Sequence, residues 1–312
     1  MVRVLTIPLH RQIRRQTRLS LPADAGLTVD QLRDRISVAQ TPSDIKAQFA
    51  GRGIQPRKRF GQNFLIDRHK LDAIIAAAEI TAGDLVLEVG PGTGVLSEAL
   101  LDAGARVIGV EIDRDMCAVL RDRLGDRSAF ELIEGDVLAG KHAIDPRVAD
   151  RLAGVPAFKH VANLPYNIAS PLLATLATDH PNMTLGIIMI QREVADRLTA
   201  SPGGRDFGPL TVIVQALCEV ERLMTLSPGC FWPQPRVDSA VLRVVRRPVP
   251  LTDAPHRLAQ LTQRLFQQRR KQIGSILGRD APLPPGVEAT FRPEQLTVEQ
   301  LVALASDERL SD

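Results

Sequence analysis

The chain has 312 residues, 44% hydrophobic and 24% charged, and a formal net charge of +3 at pH 7. Its three widely spaced cysteines form no C-x-x-C pair and so exclude a disulfide framework and a zinc site. We therefore expect no bound metal and a reduced, cytoplasmic location. No apolar run approaches membrane-spanning length, so no membrane partner is expected.

Residues 1–40 differ in composition from the rest of the chain. Arginines concentrate between positions 3 and 18, and the first acidic residue is Asp24. Such a start is typical of an organellar transit peptide, of a disordered RNA-binding arm, or of sequence upstream of the true start codon. The residues do not decide among the three, and we expect a poorly ordered extension with no catalytic role.

The next segment carries a helix signal and then a basic triplet. Thr41 to Gly51 begins with a capping residue and an early proline and ends in a glycine, which predicts a short helix. Asp67 can cap a second helix that runs through Ala78. Between them lie three basic residues, Arg57, Lys58 and Arg59. A basic triplet is most often a solvated turn, and the alternative here is contact with RNA.

A short apolar run and three alternating glycines then follow. Leu85 to Val89 predicts a strand buried on both faces, and a helical pattern begins at Val95. A strand, a glycine turn and a helix in this order are typical of the first unit of a doubly wound nucleotide-binding sheet. A dinucleotide site would need glycine where Val95 stands. The E-x-G-x-G-x-G pattern from Glu88 instead resembles the first motif of S-adenosylmethionine-dependent methyltransferases. The alternative is a glycine turn without a ligand.

Two acidic residues follow the next two predicted strands. Residues 106–110 form a strand that ends at Glu111, where this fold places an acid to accept hydrogen bonds from a ribose. Asp113 can cap a helix to about residue 124. Residues 130–133 form the third strand, after which Asp136 could hold an adenine amino group. Either acid could instead cap a helix or turn.

Alternation of strands and helices continues to residue 248. We predict strands at 158–162, 185–190, 220–225 and 240–245, helices at 170–177, 191–198 and 210–217, and a loop at 200–208. Ser170 is the expected cap of the helix at 170–177.

The last part of the chain has a helical pattern only, punctuated by prolines. We therefore divide the chain into an extension at 1–40, a Rossmann-like methyltransferase domain at 41–248 and a helical, RNA-binding domain at 249–312. Four basic residues lie close together in the first helix of that last domain, Arg264, Arg269, Arg270 and Lys271. They form either a phosphate-facing stripe or a solvated helix face.

The tetrad Asn163-Leu164-Pro165-Tyr166 ends the fourth predicted strand and resembles the catalytic motif of methyltransferases that act on exocyclic amino groups. An adenine amino group is a poor nucleophile because its lone pair is delocalised into the ring. The Asn163 side-chain oxygen and the Leu164 carbonyl can each accept an N–H bond and direct the lone pair toward a methyl donor. Pro165 fixes the turn, and the Tyr166 ring offers a stacking surface for the base. The alternative is a structural turn.

With these motifs in place, the chain from about residue 41 to residue 271 resembles the ribosomal small-subunit RNA adenine dimethyltransferases. The motifs occur in that family's order: K-R-F-G-Q-N-F-L-I-D, E-V-G-P-G-T-G, V-E-I-D, E-G-D, N-L-P-Y-N-I-A-S-P, Q-R-E-V-A-D-R-L and F-W-P-Q-P-R-V-D-S-A-V. The resemblance implies an α/β, Rossmann-like S-adenosylmethionine-dependent methyltransferase sheet with a small C-terminal all-helical domain. It also implies conversion of two adjacent adenines near the 3′ end of small-subunit rRNA to N6,N6-dimethyladenine, by a monomer acting on a pre-30S particle.

The resemblance also implies roles for individual residues. The expected cofactor-binding residues are Asn63, Leu65, Glu88, Gly90, Gly92, Gly94, Glu111, Asp136 and Asn163. Phe231 would stack on the target base opposite Tyr166, and a base held between two rings is accessible to an enzyme at its edge. The extension at 1–40 has no family counterpart, and the match beyond Lys271 is loose.

Three alternatives stay open at this point. The macrolide-resistance methyltransferases share this architecture but modify an adenine of the large subunit. A mainly non-catalytic factor in ribosome assembly, or an organellar transcription factor, could use the same fold. An NAD-dependent oxidoreductase is disfavoured by Val95.

Overall fold

A mixed sheet forms the centre of the fold in this computed structural model, which describes residues 40–57, 60–140, 143–278 and 281–310. Its strands lie in the order β4-β3-β2-β5-β6-β9-β7. Their bounds are β2 Leu85–Val89, β3 Arg106–Glu111, β4 Phe130–Glu134, β5 Phe158–Asn163, β6 Met183–Gln191, β7 Cys218–Leu226 and β9 Ser239–Arg246. The strands from β4 through β6 are parallel, whereas β9 is antiparallel to both β6 and β7. The predicted Rossmann-like sheet is therefore confirmed.

A second, very short sheet joins distant parts of the chain. Strand β1, Phe64–Leu65, pairs antiparallel with β8, Phe231–Trp232, so that Phe64 faces Trp232 and Leu65 faces Phe231. Neither strand was expected from the sequence. Two residues are too few to show the alternation that predicts a strand.

Helices cover both faces of the large sheet. They are α1 Pro42–Ala50, α2 Arg68–Ala77, α3 Val95–Asp102, α4 Arg114–Leu124, α5 Pro146–Ala153, α6 Ala169–Asp179, α7 Arg192–Leu198, α8 Pro209–Leu217, α9 Pro255–Gln267, α10 Ile273–Leu277 and α11 Val298–Ser306. Helices α2 and α3 pack on one face of the sheet, in the cluster that contains Val86, while α5 to α8 pack on the other, in the cluster that contains Leu87. Successive β2 residues point to opposite faces, and all five are buried.

Helix starts follow the predicted capping residues in most places. Thr41 caps α1 in a capping box with Asp44, and Asp67 accepts a hydrogen bond from the Lys70 amide at the start of α2. The prediction for α6 is wrong, because this helix begins at Ala169 with Ile168 at the cap position and no side-chain cap. Ser170 therefore lies inside the helix, and α5 was not predicted.

The described residues after 248 form helices and turns, as expected, and no strand. They share one hydrophobic cluster with the sheet domain, to which α9 contributes Leu258, Leu261 and Leu265 and α8 contributes Ile213 and Ala216. The division at residue 248 stays a prediction. The predicted extension lies outside the described residues, except for residue 40.

No helix among the described residues is both long and apolar enough to cross a membrane. Among the same residues, no cluster of His, Cys, Asp and Glu side chains could hold a metal ion.

Candidate active site

A cleft lies at the carboxyl ends of the parallel strands, where doubly wound sheets bind their ligands. It is lined by residues 60–65, which form a strap ahead of α2, and by the ends of β2, β3, β4 and β5. Most of the predicted cofactor-binding residues line it, namely Asn63, Leu65, Glu88, Gly90, Gly92, Glu111, Asp136 and Asn163. Ile112, next to Glu111, also lines the cleft and is 45% exposed.

Two glycines of the turn lie so close to neighbouring side chains that a residue with a Cβ atom would not fit in their place. Gly90 and Gly92 both have positive φ, of 71° and 57°. A Cβ atom on Gly90 would lie 3.3 Å from the Pro165 ring, and one on Gly92 would lie 2.9 Å from the Phe64 ring. The turn is therefore packed between the strap and the catalytic tetrad, and it offers bare backbone to a ligand.

Glu111 is held rigidly by backbone donors. Its side chain is buried, and it accepts hydrogen bonds from the Gly92 amide at 3.0 Å and from the Asp113 amide at 2.9 Å. Burial raises the pKa of this carboxyl, although the backbone donors oppose the shift. Each carboxylate oxygen retains a lone pair, so Glu111 can still accept from ribose hydroxyls.

Glu88 is a second buried carboxyl at the cleft. Its partner is the Ser97 hydroxyl, which donates at 2.5 Å. Burial raises the pKa of Glu88 to about 8, and the neighbouring Glu111 adds to the shift. A cation bound nearby would favour the ionised form. Asp136, by contrast, is exposed at the rim, where one carboxylate oxygen accepts from the Leu138 amide at 2.9 Å.

Asn163 connects the tetrad to the strap. Its amide nitrogen donates to the Asn63 carbonyl at 2.9 Å, and the Asn63 amide nitrogen in turn donates to the Gly61 carbonyl at 3.0 Å. The Asn163 oxygen is thereby oriented as an acceptor beside Pro165, which also lines the cleft. The arrangement can accept a hydrogen bond from an amino group presented at the rim.

Four of the predicted catalytic and cofactor-binding residues do not line this cleft. Gly94 packs against α4, since a Cβ there would lie 2.9 Å from Leu120. Leu164 has a buried side chain, and its amide donates to the Met189 carbonyl at 3.0 Å. Tyr166 is half-buried, with its hydroxyl 3.3 Å from the Ser239 hydroxyl, and burial raises its pKa.

Phe231 is the fourth, and its position does not match the stacking role expected of it. Its side chain is 1% exposed and belongs to the hydrophobic cluster on the Val86 face of the sheet. The ring is thus a core side chain here, and stacking on a base would require it to become accessible. The stacking role of Phe231 stays a prediction.

The side chain of Arg57 contacts acidic residues of the protein itself, and its contact with RNA stays a prediction. Its guanidinium pairs with Asp113 at 2.8 Å and with Asp115 at 2.5 Å, so it is engaged within the protein. From the sequence, Asp113 was expected only to cap a helix, and Gln62 had no predicted role. The motifs K-R-F-G-Q-N and V-E-I-D contain these residues 51 positions apart, and no local signal predicts that they meet. Lys58 and Arg59 lie outside the described residues.

The C-terminal basic residues also differ from a simple stripe. Arg269 donates to the carbonyls of Arg205 and Gly204, at 2.7 and 2.9 Å, and so holds the 200–208 loop. Arg264 is half-buried and donates to the Ile276 carbonyl at 3.4 Å. Arg270 and Lys271 are exposed. Arg270 and Lys271 are thus the most exposed of the four, and contact of these residues with RNA stays a prediction.

The residues that line the cleft fit S-adenosylmethionine. Glu111 and Asp136 offer acceptors for hydroxyl and amino groups at the ends of neighbouring strands. The buried Glu88 carboxyl, whose pKa is raised to about 8, would ionise beside a cationic ligand and then offer it negative charge. The glycine turn leaves room for close approach to backbone, and no basic residue for a pyrophosphate lines the cleft among the described residues.

Comparisons with known proteins agree with this site. A family model described as ribosomal RNA adenine dimethylase matches residues 53–308. Ribosomal RNA small subunit methyltransferase A of Pseudomonas putida is 41% identical over 258 residues, covering 80% of this chain and 93% of the relative.

Two solved structures are similar in fold. A dimethyladenosine transferase from Plasmodium falciparum has a TM-score of 0.63 and 26% identity, over 77% of this chain and 95% of the other. The 23S rRNA methyltransferase ErmE has a TM-score of 0.58 and 28% identity, over 78% of this chain and 100% of the other.

Proposed function

This chain belongs to the ribosomal RNA adenine dimethylase family, and from that membership we propose how its cleft dimethylates adenine in small-subunit rRNA. The enzyme is an S-adenosylmethionine-dependent rRNA adenine N6,N6-dimethyltransferase. The observation that carries this conclusion is the position of Asn163, which lines the cofactor cleft and directs its amide oxygen as an acceptor beside the tetrad turn.

The cofactor-binding residues each have a defined task in this proposal. Glu111 accepts from the ribose hydroxyls, Asp136 accepts from the adenine amino group, and Gly90 admits the methionine end. Asn63 and Leu65, on the strap, close over the cofactor. When bound, S-adenosylmethionine supplies a methyl group activated by its positively charged sulfur. Gly94 supports the turn from behind by its contact with α4.

The acceptor adenine is held by the tetrad. The Asn163 oxygen and the Leu164 carbonyl accept the two N–H bonds of the amino group, which directs its lone pair toward the cofactor. Tyr166 stacks on the base. Because the methyl donor is already activated, alignment of the reacting atoms provides most of the rate enhancement and no strong base is needed. The displaced proton leaves to water.

The small subunit is the substrate, and the relatives argue for it over the large subunit. The Pseudomonas putida relative is named for the small subunit and is 41% identical to this chain, against 28% for ErmE. We further propose that the enzyme acts as a monomer, in the cytoplasm, on a pre-30S particle late in assembly. Arg270 and Lys271 are the exposed basic residues that we propose contact this rRNA.

Methyl transfer to isolated small subunits tests the proposal. Purified protein is incubated with labelled S-adenosylmethionine and subunits that lack the modification, with unmethylated large subunits as the matched control. We expect label in N6,N6-dimethyladenine of small-subunit rRNA only. Label in the large subunit alone would support the macrolide-resistance alternative. No label from a protein with normal circular dichroism would favour the non-catalytic assembly role.

A further inference from the structure

The strap over the cofactor cleft is fixed at both of its ends. Every residue from Phe60 to Leu65 lines the cleft, so the strap forms one wall of the cofactor site. Its C-terminal end, β1, pairs with β8. Near its N-terminal end, the side chain of Gln62 contacts Asp113 and Arg57, which precedes the strap.

Both side chains donate hydrogen bonds to one buried carboxylate, that of Asp113. Arg57 Nη1 donates to Asp113 Oδ1 at 2.8 Å, and Gln62 Nε2 donates to Asp113 Oδ2 at 2.8 Å. The Gln62 side-chain oxygen also accepts from the Arg57 backbone amide at 2.7 Å, so these two residues contact each other as well as Asp113. The side chain of Asp113 is 1% exposed, so an opened strap would leave a buried charge without its cation.

The same carboxylate is adjacent to the proposed ribose-binding residue. The Asp113 amide donates to Glu111 Oε1, and Glu111 Oε2 accepts from the glycine turn. Arg57 itself does not line the cleft. Any effect of Arg57 on the cofactor must therefore pass through the strap and through Asp113.

We propose that Arg57, assisted by Gln62, is a positioning residue that holds the strap closed over S-adenosylmethionine. This inference rests on the proposed function, since it takes the cleft to be the cofactor site. Each dimethylated adenine consumes two cofactor molecules, so the demethylated product must leave and a fresh donor must enter between transfers. Release of the contact between Arg57 and Asp113 sets the rate of that exchange.

The test substitutes Arg57→Gln and uses Arg52→Gln as its matched control. Arg52 lies nearby in sequence and also pairs with an α4 carboxylate, Asp122, at 2.5 Å, but it does not line the cleft and is not part of the strap. Both variants lose one positive charge, and each loses contact with acidic residues at α4: two ion pairs for Arg57→Gln and one for Arg52→Gln. Calorimetry with S-adenosylhomocysteine, without RNA, measures the affinity, and stopped-flow displacement measures the dissociation rate.

We expect Arg57→Gln to weaken S-adenosylhomocysteine binding at least tenfold through faster dissociation, and Arg52→Gln to stay within twofold of wild type. Arg57→Lys, which keeps the charge, should recover part of the affinity. In turnover, KM for the cofactor should rise for Arg57→Gln while kcat changes less than threefold. If Arg57→Gln does not fold, Asp115→Asn removes one ion pair of the same guanidinium and should raise the dissociation rate about threefold.

Other outcomes would overturn the proposal in distinct ways. Unchanged cofactor affinity with weaker RNA binding in the absence of cofactor would show that Arg57 contacts phosphate. Unchanged affinity for both ligands would leave Arg57 with no positioning role. Failure of the wild-type protein to bind S-adenosylhomocysteine would instead refute the proposed function, and so is distinguishable from failure of the strap inference.

Discussion

The side-chain amide of Asn163 donates a hydrogen bond to the backbone carbonyl of Asn63, which lies one hundred positions earlier in the chain, at 2.9 Å. This bond uses the amide nitrogen and leaves the amide oxygen available for the target amino group. The strap that covers the cofactor thus also orients the side chain that positions the acceptor. Closure of the strap and assembly of the acceptor site are parts of one arrangement.

Asn163→Ala should abolish most methyl transfer. It removes an oriented acceptor for the target amino group, and loss of one such preorganised dipole costs on the order of 100-fold in kcat. The measurement is incorporation of labelled methyl groups into small subunits. Asn182→Ala is the control, because Asn182 donates to the Leu152 and Val155 carbonyls away from the cleft. It should lower stability but keep the activity per folded molecule.

Glu111→Gln should weaken cofactor binding about 10- to 150-fold, the range that follows from ~1.5–3 kcal/mol for a hydrogen bond to a charged group. The backbone amides of Gly92 and Asp113 each donate to one oxygen of Glu111. In the variant, the side-chain NH2 group would replace one of these oxygens, so two donors would face each other. Calorimetry with S-adenosylhomocysteine measures the loss. Glu131→Gln, on the exposed side of the neighbouring strand, should bind as wild type does. Equal affinity in both variants would contradict the assigned role of Glu111.

The glycines of the turn should separate into two classes. Gly92→Ala places a methyl group against Phe64 on the strap and should weaken cofactor binding. Gly94→Ala places one against Leu120 and should lower the free energy of unfolding without changing the cofactor affinity of the folded protein. Gly83→Ala is the control for backbone strain alone, since its φ is +88° and a Cβ there meets nothing within 4 Å. Its expected cost is ~1–2 kcal/mol.

Tyr166→Phe and Tyr166→Ala should differ strongly in activity. The phenylalanine keeps the ring and loses only the contact with the Ser239 hydroxyl, so kcat/KM should stay within about threefold of wild type. The alanine loses the stacking surface, worth ~1–3 kcal/mol per base. Its kcat/KM for rRNA should fall about 5- to 150-fold, with the affinity for S-adenosylhomocysteine unchanged. Similar losses in both variants would argue for the hydroxyl instead of the ring.

Glu88 should make stability depend on pH. The folded state raises its pKa from 4.5 to about 8, so between these values the folded protein holds a proton that the unfolded chain has released. Its contribution to stability is full below about pH 4.5 and is lost as the pH rises through 8. The free energy of unfolding should fall by up to ~1.4 kcal/mol per pH unit in this window. Urea unfolding of Glu88→Gln across the window should show a shallower slope, and an unchanged slope would contradict this assignment.

The sequence alone was enough to predict the elements that have a strong local signal. The five buried residues of β2, four of them apolar, form a strand with the predicted bounds. Glu111 and Asp136 lie at or just after strand ends, because parallel strands present their carboxyl ends on one edge. Helix α5 was missed because it buries only Val148 and Leu152, too few to stand out as a periodic pattern.

What the sequence could not predict are contacts between distant segments. The basic triplet at 57–59 indicated a surface charge, but two acids at the start of α4 meet Arg57 in the fold. The sequence similarly indicates Arg269 as a phosphate contact. In the fold, its guanidinium donates to two backbone carbonyls of the 200–208 loop. A long charged side chain pairs with whatever polar group the tertiary structure brings near it. No local sequence pattern identifies that group.

The pairing of β1 with β8 has a consequence for protein engineering. Phe64 and Leu65 line the cofactor cleft, while their partners Trp232 and Phe231 begin the F-W-P-Q-P segment assigned to the target base. The two segments share backbone hydrogen bonds, so they behave as one exchangeable module although they lie far apart in the gene. A chimera that imports the target-base segment of a relative should therefore import that relative's strap as well.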